Sequence, residues 1–228
     1  MERKITVKGI GHVTAKPDFV IISLTIEEIE KKYEKAVDEA NKRINNLVSA
    51  LSEIGFKPDD IKTVDYRVSS NIEFRTNKKG IPEHIKNGFK CSNRLKISFD
   101  FDSEKLSKTV EAITNCVAEP RVNITFSVKD EEAVKDELMK SAGANAKRRA
   151  EILCESAGGK LGNLITVNYN WNDISLLSPT RFDSSSQTTP LFDESSTAAP
   201  LAPLAPAQSF APDDIELNDS ALFVWEIV

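Results

Sequence analysis

The sequence predicts an α+β fold, with mixed, mostly antiparallel sheets and three main helices packed on them. Three observations carry that class. Apolar and β-branched residues recur with a period of two, as in Val20, Ile22, Leu24 and Ile26, or Leu95, Ile97, Phe99 and Phe101. Elsewhere the period changes to three and four. It does so most clearly over residues 33–54, where Tyr33, Ala36, Val37, Ala40, Ile44, Leu47, Val48, Leu51 and Ile54 form one helical face. Polar turns then separate neighbouring strands, which implies antiparallel pairing within a helix-strand interleave.

Residues 5–27 read as two strands split at Lys16-Pro17-Asp18, an opening hairpin. Pro17 cannot donate to a strand ladder, and Asp18 can close the turn through its side chain. The 33–54 helix should stop at Gly55, which tolerates a left-handed conformation, before Pro58. Runs 61–74 and 88–101 flank Thr76-Asn77-Lys78-Lys79-Gly80 and predict a hairpin. Asp102-Ser103 caps a short helix carried by Leu106, Val110, Ile113 and Val117, and residues 122–128 make another strand.

Asp130, Glu131 and Glu132 place acids where the dipole of a third helix favours them. Its apolar line runs Val134, Leu138, Ala142, Ala146, Ala150, Leu153 and Ala157 and ends at Gly158-Gly159. So many alanines imply a close approach to a sheet or another helix. A strand follows at 164–171. Residues 178–212 hold six of the ten prolines, so they are expected to be a long Pro/Ala/Ser-rich loop or a disordered insertion before a final strand at 218–228. The whole chain, 1–228, reads as a single domain in which two similar β-hairpin/helix modules form one body.

Charge and composition narrow the function classes. Residues 172–228 carry one basic residue, Arg181, against nine acids, while the preceding 171 carry 29 basic residues against 26 acids. Neither part has the dense basic stripe that holds a phosphate backbone, so no nucleic-acid partner is expected. No run approaches the roughly 18–20 apolar residues of a membrane helix, so no transmembrane segment is expected. The chain as given shows no apolar leader, which favours a cytoplasmic location, or a periplasmic or exported one if a leader has been removed.

Candidate chemistry is sparse. Cys91, Cys116 and Cys154 lack metal-site spacing, and an odd count does not suit a disulfide framework. Cys116 and Cys154 are expected to be buried and inert, whereas Cys91, beside Ser92 in a strand, is the thiol expected to be exposed and the candidate reactive one. His12 and His84 stand 72 positions apart and read as surface or strand-edge residues. Gly9-Ile10-Gly11 lies within a strand rather than opening a helix, which excludes a dinucleotide loop. Lys147-Arg148-Arg149 should make salt links along the helix to residues such as Glu151 or Glu155. Trp171, Phe223 and Trp225 are candidate interface aromatics, with core packing an equal alternative. No catalytic, cofactor-binding or metal residue is assigned, and no cofactor is expected.

The ordered set of Val7-Lys8-Gly9-Ile10-Gly11, Lys16-Pro17-Asp18, Ala36, Asn41, Leu51 to Gly55, 59–63 and Tyr66, with Ala146, Arg149, Ala150, Glu151, Leu153, Gly158, Leu161 and Gly162, resembles the SIMPL domain family. The resemblance marks Gly9, Gly11, Pro17, Asp18, Gly55, Arg149, Gly158 and Gly162 as structural motif positions. It also implies homo-oligomeric assembly, because the family includes a ring- or channel-like periplasmic antigen of brucellae, a protein linked to oxidative stress and a kinase-binding vertebrate member. The reading is therefore a non-enzymatic, homo-oligomeric assembly or interaction protein with stress or envelope links. The alternatives are a thiol-dependent redox protein or hydrolase, and a small-ligand or peptide carrier.

Overall fold

The structure, a computed structural model, describes residues 3–76, 82–169, 174–184 and 210–228, with side chains omitted at 73–76, 82 and 83. In chain order the elements are β1 (Lys4–Ala15), β2 (Phe19–Glu30), α1 (Tyr33–Glu53), β3 (Lys62–Thr76), β4 (Pro82–Asp100), α2 (Ser103–Thr114), β5 (Arg121–Ser127), α3 (Glu131–Ser156), β6 (Leu161–Tyr169), β7 (Leu177–Asp183) and β8 (Ile215–Ile227). A three-stranded sheet runs β1-β8-β6 and a five-stranded sheet runs β3-β4-β2-β5-β7. The class is α+β, as expected. The chain divides into two compact units: Met1–Asp18 with Phe126–Pro179 and Pro212–Val228, and Phe19–Thr125 with Thr180–Ala211.

In the first unit the two ends of the chain pair antiparallel without a break, from Lys4↔Glu226 to Ala15↔Ile215. Every second residue of β1 from Val7 to Val13 is buried, and α3 packs on that face. The helix comes unusually close. A Cβ placed on Gly9 would lie 2.3 Å from the Ala142 carbonyl oxygen, and one on Gly11 would lie 2.3 Å from that of Leu138. Only a residue without a side chain fits there, so the glycines and the alanines of α3 are two sides of one seam. Two apolar clusters flank it: Val13, Val128, Leu138, Leu176, Ile215 and Leu217 on one side, and Val7, Ala146, Ala150 and Trp225 on the other.

The second unit packs conventionally. Val20, Ile22, Leu24 and Ile26 of β2 and Leu95, Ile97 and Phe99 of β4 are buried, and α1 lies against both strands with Ala36, Ala40, Leu47 and Leu51 turned inward. Asp102 caps α2 as expected, accepting from the Glu104 and Lys105 amides at 2.8 and 2.9 Å. The Lys105 ammonium lies over the rings of Phe56 and Phe99, 4.9 and 4.7 Å from their centroids.

Four expectations are corrected. The opening strands form no hairpin, because β1 pairs with β8 and β2 with β4. The Pro17 turn sends the chain from one sheet to the other. Part of the expected 178–212 loop is strand: β7 runs to Asp183 despite Pro179, which it tolerates because β7 is the outermost strand of its sheet. Residues 185–209 of that loop lie outside the described residues. The buried line of α3 is Leu138, Ala142, Ala146, Ala150 and Cys154, so Leu153 turns outward. A strict step of four drifts around a 3.6-residue helix, and this drift keeps the line over a twisted sheet. Finally, α2 ends at Thr114, leaving Val117 exposed.

The seam can be tested with two glycines. Gly9→Ala should lower unfolding free energy by at least about 2 kcal/mol, the scale of overpacking. Gly143→Ala should raise it by up to about 1 kcal/mol, since its added Cβ meets only Phe223 at 3.9 Å and alanine is the better helix former. Urea melts of both variants measure the contrast, and equal effects would remove the close-approach account.

Candidate functional site

The motif positions serve the backbone. Gly9 and Gly11 lie buried beneath α3. Pro17 is buried, and Asp18 beside it joins the turn to the chain that follows β5: its amide donates to the Ser127 carbonyl at 3.0 Å and its Oδ1 accepts from the Lys129 amide at 2.7 Å. Gly55 and Gly158 follow α1 and α3 with φ of +98° and +76°. Gly162 packs on β8, where a Cβ would lie 2.9 Å from that of Glu226.

Arg149 introduces a feature that sequence reasoning missed. β1 is an edge strand, and its outward-facing backbone groups are met by one row of α3 side chains. The Ile10 amide donates to Asn145 Oδ1 and the His12 amide to Ser141 Oγ, both at 3.1 Å. Ser141 Oγ donates in turn to the His12 carbonyl at 3.2 Å, and Arg149 Nη1 donates to the Lys8 carbonyl at 3.3 Å. Ser141, Asn145 and Arg149 are spaced by four and adjoin Ala142, Ala146 and Ala150, so a polar row running beside an alanine row is the signal that was available. Among the described residues no ion pair joins Lys147, Arg148 or Arg149 to Glu151 or Glu155, contrary to expectation, and Arg149 is engaged at the strand edge instead.

The remaining candidates are dispersed. Cys91 is fully buried against Ala36 and Ala40 rather than exposed, because odd-numbered positions of β4 face α1. Cys116 and Cys154 are buried and free. His12 and His84 are exposed, and His12 Nδ1 lies 2.9 Å from Asn218 Oδ1. Trp225 is buried under α3 and stacked on the half-buried Phe223 at 5.5 Å, so it contributes to the core rather than to a surface. Trp171 lies outside the described residues. Among the described residues no group of three His, Cys, Asp or Glu side chains could hold a metal ion. A shallow depression of roughly 320 Å³ is lined by Ile54, Asp102, Glu104, Lys105, Lys108 and Thr109. Its charges are largely engaged, with Lys108 paired to Glu104 at 2.6 Å and Asp102 capping α2.

Three polar clusters were not foreseen. The Arg43 guanidinium on α1 donates to the carbonyls of Ala118, Glu119 and Glu27 and to the Glu28 carboxylate. Glu27 pairs with Lys90 and Arg121. Burial alone would raise the Glu27 pKa, but the hydrogen bond and charge of Lys90, together with Arg121, hold it below the usual carboxylate range. The Tyr169 hydroxyl donates to Asp219 Oδ2 at 2.5 Å, and this bond, with desolvation, pushes the phenol up to about 12.

Two surfaces expose apolar side chains among the described residues. β2 accompanies β4 only as far as the Glu30↔Phe89 pair, yet β3 and β4 stay paired beyond it to Thr76↔Pro82. The result is a two-stranded ribbon that begins at Gly88, where φ is +94° and a Cβ would lie 2.3 Å from the Glu30 carbonyl oxygen. The ribbon exposes Ile72 (51%) and Ile85 (42%), which the register places on opposite faces. The second surface is β6, whose Leu164, Ile165 and Val167 are exposed. No described helix is long and apolar enough to cross a membrane.

Two measurements test the polar clusters. Arg43→Met should cost about 1–2 kcal/mol in a urea melt, because it strands partly buried carbonyls and a carboxylate, and Arg43→Lys should recover little of this for lack of the planar fork. Tyr169 has a folded pKa above its unfolded value near 10, so the stability it adds is present below about pH 10 and fades as pH rises toward 12. Alkaline melts of Tyr169→Phe should therefore be less stable than wild type at pH 8 and should lose less between pH 10 and 12. Parallel curves would refute the linkage.

The family model of SIMPL, described as a protein of unknown function (DUF541), matches residues 5–225. The chain is 22% identical over 165 residues to the 26 kDa periplasmic immunogenic protein of Brucella melitensis, covering 72% of this chain and 66% of that one. It is 21% identical over 166 residues to the uncharacterized protein YggE of Escherichia coli K12, covering 73% and 65%. The matched region thus spans just under two thirds of each relative's length. With nearly its whole length matched, the chain belongs to the SIMPL family.

Proposed function

We propose that this SIMPL protein is a non-enzymatic assembly protein that acts as a homo-oligomer in the bacterial envelope. The observation that carries the reading is the β3–β4 ribbon. An isolated two-stranded hairpin is marginal in water, and this one continues past the support of β2 while exposing an isoleucine on each face. Such an extension has a physical rationale where another surface completes it. The groups best suited to chemistry support the same reading, because Asp18, Arg43, Arg149 and Tyr169 are all committed to hydrogen bonds that hold strands, turns and helix ends. The envelope is proposed from the periplasmic name of the Brucella relative. Three buried thiols are suited to that oxidising compartment, since burial keeps them from pairing.

Light scattering of the full chain at tens of micromolar tests the reading. A particle of several chains is expected, and Ile72→Lys combined with Ile85→Glu should lower its mass without changing circular dichroism. A single-chain mass of 25.3 kDa across that concentration range would overturn it.

A further inference from the structure

Asn87-Gly88 is the chain's single Asn-Gly pair, and it sits where the two-stranded ribbon leaves the five-stranded sheet. β2 ends its pairing at Glu30↔Phe89, and the β3–β4 register then passes from Ser70↔Phe89 to Ile72↔Lys86. Asn87 and Gly88 therefore stand together opposite Asn71, a bulge that interrupts the ladder. Asn71 Nδ2 donates to the Asn87 carbonyl across a long 3.4 Å. The Asn87 side chain is exposed. Gly88 has a φ of +94°, and a Cβ there would lie 2.3 Å from the Glu30 carbonyl oxygen, so no residue with a side chain fits. An asparagine side-chain carbonyl carbon can close a five-membered ring with the amide nitrogen of the next residue. Two things oppose the closure: a side chain on that next residue, and a backbone held in regular pairing. Gly88 has no side chain, and the bulge lies outside the regular register. The fold thus requires the glycine that leaves Asn87 open to attack.

We propose that Asn87 is a site of spontaneous covalent modification that remodels the base of the ribbon, with water as the co-reactant. The Gly88 nitrogen, its proton lost to hydroxide, bonds to Asn87 Cγ. The Cγ–Nδ2 bond breaks with its electron pair, and Nδ2 takes a proton from water and leaves as ammonia. Water then opens the resulting succinimide at one of its two carbonyls. Cleavage of the Cγ–nitrogen bond gives aspartate, and cleavage of the bond from the main-chain carbonyl carbon of residue 87 to the Gly88 nitrogen gives isoaspartate. The net change is one water consumed and one ammonia released, with no change in oxidation state. Isoaspartate routes the main chain through Cβ and Cγ, which adds a methylene to β4 and places a carboxylate beside the bulge. The added length falls just before Lys86, so it disturbs the Ile72↔Lys86 pair and those beyond it. A two-stranded ribbon is marginal in water and opens more cheaply than the sheet it leaves, which gives the ring closure its opportunity. The reaction does not depend on whether the chain assembles, but it alters the surface through which assembly is proposed.

The test holds the full chain in warm, mildly alkaline buffer for two weeks and follows it by peptide mass spectrometry. An acid should replace the amide at residue 87, with isoaspartate the larger share, at a rate within tenfold of that in guanidinium chloride. Asn93 and Asn145, followed by Arg94 and Ala146 inside a strand and a helix, should stay amides in the folded chain. Asn87→Gln, which would have to close a six-membered ring, should remain unconverted at this position while melting like wild type. Amide exchange of the converted chain should speed at least tenfold at Ile72 and at residues 84–86 and stay unchanged in β2. A folded chain that keeps Asn87 as an amide while the unfolded chain converts overturns the site. Conversion that leaves exchange in the ribbon unchanged overturns the remodelling.

Discussion

The backbone of α3 lies directly on the backbone of β1, and much of the first unit depends on that approach. Gly9 and Gly11 leave no side chain between strand and helix, and Ala142 and Ala146 complete the contact from above. An ordinary helix-on-sheet layer is spaced by large side chains and loses contact energy wherever these fail to interlock. Here the layer is thin, so short polar side chains on the flank of the same helix reach main-chain groups of the strand. Ser141 could not bond both the amide and the carbonyl of His12 from a helix held further off. The small-residue seam and the sealed edge are therefore one device.

The second unit shows the alternative. Its sheet presents Val20, Ile22, Leu24, Ile26, Leu95, Ile97 and Phe99, and its helices meet them with leucines as well as alanines. Polar closure here falls to a long side chain: Arg43 extends from α1 to the carbonyls of Ala118 and Glu119 at the turn before β5. The planar guanidinium suits this task because its fork satisfies several acceptors from one partly buried position.

Much of the fold was legible because it follows local periodicity. The helix expected at 33–54 is Tyr33–Glu53, α2 is capped by Asp102 as anticipated, α3 begins at the acids of 130–132 with Asp130 as its cap rather than inside its first turn, and the terminal strand pairs inside a sheet. Pairing was less legible because it is set by distant residues. Pro17 signals a turn but does not say that the strands on its two sides enter different sheets. Pro179 signals a loop unless its strand lies at an edge, and neighbouring residues do not reveal that position. Cys91, by contrast, was legible and misread: it shares the odd-numbered apolar face of Leu95, Ile97 and Phe99, which packs on Ala36 and Ala40 of α1. The glycines of the opening motif were visible as a pattern, yet their purpose required the helix more than 120 residues later that lies on them.

Covering one edge of a three-stranded sheet with a single helix has a geometric consequence for the other. A helix close enough to β1 for Arg149 to reach the Lys8 carbonyl sits off-centre on the sheet, over β1 and β8. The outermost strand on the far side meets α3 chiefly at its start, through Leu161, and leaves Leu164, Ile165 and Val167 exposed. Asn163 and Tyr169 bind back toward β8 through Glu226 and Asp219, so the strand that α3 covers least is tied to its neighbour by side chains instead.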